Sequence, residues 1–509
     1  MTKRINIAIA AAALIAGTSC TKLDVPVESQ LAASSFPKTV DQYISVTGPV
    51  YQRFATSGYA TDMFRANEFT TEEAMIPTRD QGYYDNAVYI KWHKHTWTED
   101  DVLSQWTWGF SGISDCNRII PILEGAADTT INKLFVAEIK TMRALYYFYM
   151  MDMYGNIPIT TTSTTELPKQ YKRAEVCAHI EKELLAAIPN LATPSTVDIK
   201  YYGRPTRWMA YALLQKLYLN WETYTGTKRY NDAITYGNKI MAESGLTLVG
   251  DYMSLFSPKN GANTETIFAA IFDADKGKGN HLMRFGLHGN LQRKYNLVFA
   301  PSNAMCTTLE FFNLFNLAGD ARDTTWLSGP QYLFDKTTPI INSNGGGVQL
   351  VIEPNIQLVN AERMDVGPEK NGISYGARSV KYYPDPNTID RFANNDMPVL
   401  RLGDVYLMQA EAILRNGGDA STAVEMVNRI RRRVNAPVVS SITLDELLNE
   451  RGRELAWEGW RRNDLIRFGK YEGKWGFKAG NESPNLRLFP IPSQERAIYP
   501  HLIQNDGYK

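Results

Sequence analysis

Between Lys133 and Gly155 the chain reads KLFVAEIKTMRALYYFYMMDMYG. Leu134, Ala137, Met142, Leu145 and Phe148/Tyr149 return at the steps of one helix face, and Gly155 and Pro158 stop the run. The pattern recurs. RPTRWMAYALLQKLYLNWETY (Arg204–Tyr224) is a second long helix with Pro205 near its first turn, and RYNDAITYGNKIMAESG follows it. Further on, DVYLMQAEAILRNGG precedes DASTAVEMVNRIRRRVN. Each first helix carries bulky aromatics, alanines sit where helices must approach closely, and the turns are short and polar or glycine-containing. A chain so patterned is expected to be dominated by α-helix, built as pairs that bury their faces against one another.

The stretch LGDVYLMQAEAILRNGGDASTAVEMVNRI resembles a tetratricopeptide unit, a helical hairpin that needs neighbours to complete its core. Three or four such pairs are expected, too unevenly spaced for a regular array. Between Leu246 and Pro398 the texture changes. SPKNGANTE, INSNGGGVQL and KYYPDPNTIDRFANND punctuate short apolar runs with Gly, Asn and Pro. A connection that long is not structureless in a compact protein. The expectation is one domain over 41–509, with a helical scaffold at about 110–245 and 398–470 and a loop-rich binding elaboration at about 60–105 and 246–397.

The N-terminus reads as a processing signal. Lys3 and Arg4 precede an apolar stretch, Ile7–Gly17, too short to span a bilayer. AGTSC then ends at Cys20, which suggests cleavage after residue 19 and lipid attachment at Cys20, with a polar tether at 20–40. The other reading is a plain secretory signal. The usual Leu three residues before the cysteine is Gly17 here. Cys116 and Cys177 lie in helical patterns and read as small buried hydrophobes.

With 54 basic and 54 acidic residues the formal charge is zero, which argues against nucleic acid as a partner. No phosphate-binding, dinucleotide, nucleophile-elbow or HExxH motif is present. DADKGKGN begins like a calcium loop, but Lys278 stands at the turn-glycine position and Arg284 at the bidentate-acid position. His93 and His95 lack a third metal ligand in view. The expectation is therefore no cofactor and no metal. A secreted polysaccharide hydrolase needs two carboxylates across a cleft, and Glu72, Glu73, Asp80 and Asp85 are the candidates. The reading preferred here is that the protein is not an enzyme.

In TLDELLNERGRELAWEGWRRNDLIRFGKY, Leu444, Leu447, Leu448 and Leu455 form an apolar stripe, with Gly452 and Gly459 near it. Glu450 can pair with Arg453, and Glu458 with Arg461 or Arg462, at helical spacing. Interleaved opposite charges suit a brace, and the tryptophans are expected in the core, as are Trp106 and Trp108.

This segment resembles the C-terminal signature of the SusD-like (RagB/SusD) outer-membrane lipoproteins of Bacteroidetes. AEIKTMRALYYFYMMDMYGNIPI, RPTRWMAYALLQKLYLNWETYTG and MPVLRLGDVYLMQAEAILRNGG resemble further blocks of that family in order. So does the closing LFPIPSQERAIYPHLIQNDGY, with Tyr499 where Asn is usual. The resemblance implies a helical fold with tetratricopeptide-like pairs and an irregular ligand-binding half. It also implies a lipid-anchored protein on the extracellular face of the outer membrane, capping a TonB-dependent, SusC-like transporter as a lid. The ligand implied is an oligosaccharide or polysaccharide, captured and not cleaved. A minority of relatives take peptides, which is the alternative within the class.

Flat rings match the C–H faces of sugars, and polar side chains match the hydroxyl rim. The resemblance implies that the early loops line the ligand site, which makes Arg79, Tyr83, Tyr84, Asp85, Trp92 and Trp97 candidate contacts; Tyr295 and Trp326 in the irregular half join them, with Arg378 and Lys381 from a segment that the resemblance also brings near the site.

Overall fold

A computed structural model describes residues 36–508 apart from 57, 81, 127–128, 164–166, 195–198, 277–278, 389–390 and 481. Cys20, the signal segment and most of the expected tether lie outside the described residues.

Helices dominate. The principal ones are α1 (Val40–Gln52), α2 (Leu103–Glu124), α3 (Thr130–Tyr154), α4 (Arg173–Ala187), α5 (Arg207–Thr225), α6 (Tyr230–Glu243), α7 (Leu402–Arg415), α8 (Ala420–Arg433), α9 (Leu444–Leu455), α10 (Arg461–Arg467) and α11 (Ser493–Ile498). Consecutive helices pack side by side: α2 with α3, α3 with α4, α5 with α6, and α7 with α8. Helix α7 also lies against α6 and α9, which joins the N-terminal and C-terminal pairs into one body.

The ends of these helices follow from local chemistry. Thr129, Thr206 and Thr443 each accept a hydrogen bond from the backbone N–H three residues on, capping α3, α5 and α9. Helix α3 is more deeply set than its periodicity suggests, since every residue from Thr141 to Tyr154 is buried. It is therefore packed on all sides. Its approach to α2 depends on two glycines. A Cβ on Gly112 would sit 2.4 Å from the Tyr146 ring, and one on Gly109 would sit 2.3 Å from Met150 Sδ.

The signature segment departs from a single helix. Helix α9 ends at Leu455, and the chain turns through Trp457 (φ 60°) and Gly459 (φ 84°) before α10 begins. Gly459 thus supplies a left-handed backbone position, while a Cβ on Gly452 would sit 3.0 Å from Arg461 and 3.1 Å from Leu314. The expected Glu450–Arg453 pair forms, at 2.9 Å. Glu458 instead turns inward to Arg401 (2.7 Å) and Lys381 (2.6 Å).

These belong to a buried ionic network. Arg401 donates to Glu454 (2.6 Å) and Glu265 (2.9 Å), and Arg322 donates to Glu454 (3.2 Å) and Glu450 (2.8 Å). Burial alone would raise the Glu454 carboxyl, but Arg433, Arg401 and Arg322 outweigh it and hold it well below the usual carboxylate range. Desolvation offsets much of the attraction in such a network, yet losing one partner strands the others. The segment is a brace.

Few strands are present. The longest pair, β1 (Thr266–Ala270) with β2 (Met397–Arg401), is antiparallel and fully buried. It delivers the irregular residues between 270 and 397 out of the main core and returns them. Those residues form a small core of their own, including Met283, Leu287, Leu291, Leu297, Leu350, Ile352 and Val380. Cys116, Cys177 and Cys306 are buried and free. Among the described residues no helix is long and apolar enough to cross a membrane.

Candidate ligand-binding face

On the outer edge of that second core three rings meet. Tyr295 is 7% exposed; Phe334 stands edge-on to it at 5.6 Å and Tyr383 at 5.9 Å. Phe334 is 62% and Tyr383 38% exposed. Together the two open rings give the edge of the second core an aromatic surface.

Each ring is held by its backbone. Tyr295 follows a short 3-10 turn (Gly289–Gln292), and its N–H donates to Leu291 O. Phe334 precedes Asp335, whose carboxylate accepts from Thr337 N (2.9 Å), Thr338 N (2.8 Å) and Thr338 Oγ1 (2.5 Å). Those bonds, the Thr338 hydroxyl foremost, hold the Asp335 carboxyl at a pKa of about 2, so the turn presenting Phe334 is fixed at neutral pH. Tyr383 is anchored by its own N–H on Phe256 O, at 3.0 Å. Lys294 Nζ lies 5.4 Å from the Phe334 ring centre and 5.6 Å from that of Tyr295. The result is a ring platform with a cation at its edge.

The early loop joins the segment that carries Tyr295. Five non-glycine residues in it have left-handed backbone: Asp80, Tyr83, Asp85, Asn86 and Ala87, with φ between 41° and 63°. Such conformations persist only where surroundings enforce them, and they gather at binding sites. The Tyr83 hydroxyl donates to Ser302 O at 2.5 Å, and Ser302 N in turn donates to Arg284 O. Tyr84 lies under the Arg363 guanidinium, 3.9 Å from the ring centre, and Asp85 is exposed.

Several expected contacts have other roles. Trp92 and Trp97 are buried, edge-on to Phe489 at 5.4 and 5.0 Å, and Trp97 Nε1 donates to the Tyr508 hydroxyl at 2.9 Å. The C-terminal segment, which local sequence could not place, covers both. Trp326 packs among Phe315 (5.2 Å), Trp457 (5.9 Å) and Phe311 (6.1 Å). Lys381 is buried, donating to Ala456 O and Glu458 Oε1, each at 2.6 Å. A lysine so enclosed cannot reach a ligand.

Arg79 and Arg378 are also buried, and both donate to Tyr375 O, at 2.7 and 2.9 Å. Arg378 further donates to Asn303 Oδ1 (2.7 Å), and Asn303 donates to Glu369 (3.2 Å). Burial would raise Glu369, but the His288 ring and the Asn342 amide outweigh it and bring it down to about 2. Arg79 and Arg378 therefore tie the early loop and the 303–306 segment to the 374–376 turn. Trp106 and Trp108 are buried, as expected.

Among the carboxylates considered for catalysis, Glu72 is taken by Arg461 (2.6 Å) and Glu73 by the Trp457 backbone N–H. Glu73 lies in the core, whereas Glu72, held by Arg461, lines a recess beside Glu310 and Asp445. Phe334 and Tyr383 escaped the sequence reading. Tyr383 lay inside a segment already singled out, and FDKTT, an aromatic directly before an Asp-capped turn, was the local signal for Phe334.

A family model described as the SusD family matches residues 264–508, and one described as starch-binding associating with outer membrane matches residues 23–219. The chain is 27% identical to the starch-binding protein SusD of Bacteroides thetaiotaomicron over 495 residues, covering 89% of this chain and 86% of that one. Surface glycan-binding protein A from Bacteroides uniformis superposes with a TM-score of 0.73 at 19% identity, over 92% of this chain and 99% of that one. The Bacteroides thetaiotaomicron protein of that name, in complex with laminarihexaose, gives 0.71 at 20% identity, over 92% and 100%. The two family matches, over residues 23–219 and 264–508, together span most of the chain, and this chain belongs to the SusD family.

Proposed function

We propose that this protein captures a glycan on the Tyr295–Phe334–Tyr383 face, with Tyr83, Tyr84 and Asp85 extending the surface along the early loop. The observation that carries the reading is the pair of exposed rings, Phe334 and Tyr383, set at right angles around Tyr295 with Lys294 beside them. Rings take the C–H faces of sugars, and the lysine and Asp85 take hydroxyls or substituents at the rim. The named relatives, a starch-binding protein and a glycan-binding protein seen with laminarihexaose, support a sugar ligand.

The wider setting belongs to the same proposal. The protein is held on the outer face of the outer membrane through a lipid on Cys20, acts without catalysis, and passes its ligand to a TonB-dependent, SusC-like transporter as its lid. The description of the N-terminal family match supports the membrane association. Calorimetry and affinity electrophoresis against maltohexaose, laminarihexaose and a broader polysaccharide panel test the capture. Binding without release of reducing ends, weakened at least tenfold by Phe334→Ala and by Tyr383→Ala, is expected. Turnover of any bound polymer, or binding indifferent to both substitutions, overturns the reading.

A further inference from the structure

A second recess, sharing no residue with the face above, opens where the start of α2, the residues after Ile157–Pro158 and α11 converge. It encloses about 310 Å³, the lower end of small-molecule sites and too small for a long chain. Its floor is apolar and rigid. Trp106 packs on Phe110 at 4.3 Å and on Tyr154 at 5.0 Å. Phe110 and Tyr499 line it and are half-buried, so part of each ring stays open.

Its rim has a different chemistry. Ser114, Thr162 and Ser163 line it with exposed hydroxyls, and the Glu495 carboxyl is hydrogen-bonded by the Trp106 side chain. Among the described residues no Lys or Arg lines it. The frame is pinned from outside: Ser493 donates to Asp100, Arg496 pairs with Glu99 at 3.3 Å, and His501 Nε2 meets Pro168 O at 2.8 Å.

Rings below, neutral hydroxyls and one carboxylate around them, and no cation among the described lining residues fit a neutral sugar ring, and they disfavour an acidic one. We infer that this recess, walled by Phe110 and Tyr499 and rimmed by Ser114, Thr162, Ser163 and Glu495, is a second saccharide site that takes a single neutral terminal sugar unit. Glu495 accepts from the sugar hydroxyls, and the rings cover one C–H face. The inference rests on the reading of the chain as a glycan-binding protein, but not on the Tyr295 face.

The test uses the full chain carrying Phe334→Ala and Tyr383→Ala, which disables the first face. Glucose, maltose, laminaribiose, N-acetylglucosamine and galacturonic acid are titrated by saturation-transfer NMR and calorimetry. At least one neutral probe is expected to bind and galacturonic acid to fail. Adding Glu495→Gln, Tyr499→Asn or Thr162→Val is expected to weaken that binding tenfold or more; Thr162 is exposed, so its change leaves the fold intact. Absence of binding by every neutral probe, or binding unchanged by all three substitutions, overturns the second site. Either result leaves the first face standing if the wild type still binds a hexasaccharide and Phe334→Ala abolishes it. Should neither the wild type nor any variant bind a sugar, both readings fall.

Discussion

The backbone N–H of Gly459 donates to the carboxyl of Glu68 at 2.5 Å, across 391 positions of sequence. Beside it the Trp457 N–H donates to Glu73, and the two carboxyls share the space between an early helix turn and the signature bend. Burial is the largest influence on both, and it pushes Glu73 up to about 8 and Glu68 well above the usual carboxylate range.

A pH dependence follows. An acid with a raised folded-state pKa binds more protons folded than unfolded, so its stabilisation is complete below the unfolded pKa, 4.5 for a free Glu. It is lost as pH rises through the folded value. Thermal melts of the wild type and Glu73→Gln, whose amide mimics the protonated acid, should therefore lie close together at acid pH and separate toward alkaline pH, the variant losing less stability between about pH 5 and 8. Parallel curves across that window would show that the pair does not hold a proton.

Trp326 and Trp92 are core residues. Replacing either by Ala should cost about 3–5 kcal/mol in urea unfolding. Where these variants remain folded, glycan affinity should be unchanged. A variant of wild-type stability with lost affinity would return that tryptophan to the binding site.

Phe334 should behave oppositely. At 62% exposure it supports little of the fold, so Phe334→Ala should move stability by no more than about 0.5 kcal/mol. Its effect is expected in calorimetry, as a tenfold or greater loss of glycan affinity. A fall in stability without a fall in affinity would make the ring structural.

Arg401 neutralises Glu454, Glu458 and Glu265 at once. Arg401→Met leaves those carboxylates facing one another without water and should cost about 3–5 kcal/mol. Soluble yield and urea midpoint report this directly. A variant within 1 kcal/mol, roughly the worth of an exposed pair, would mean that Arg433, Arg322 and Lys381 carry the network without it.

Much was legible in the residues themselves. The helix pairs were, because a 3.6-residue repeat of apolar side chains needs no distant information. The bracing role of the signature segment was too, because opposite charges interleave along it. Its bend at Trp457–Gly459 was not, since the carboxyls that hold it open come from Glu68 and Glu73. Whether an aromatic is core or surface was equally hidden. Trp92, Trp97 and Trp326 stand in loop-like sequence just as Phe334 does, but the C-terminal tail and the signature bend return to cover the first three. Burial of a loop residue is decided by what packs over it from far along the chain; sequence alone determined the helical frame and the ring-rich insertions, and tertiary packing decided which rings stay exposed.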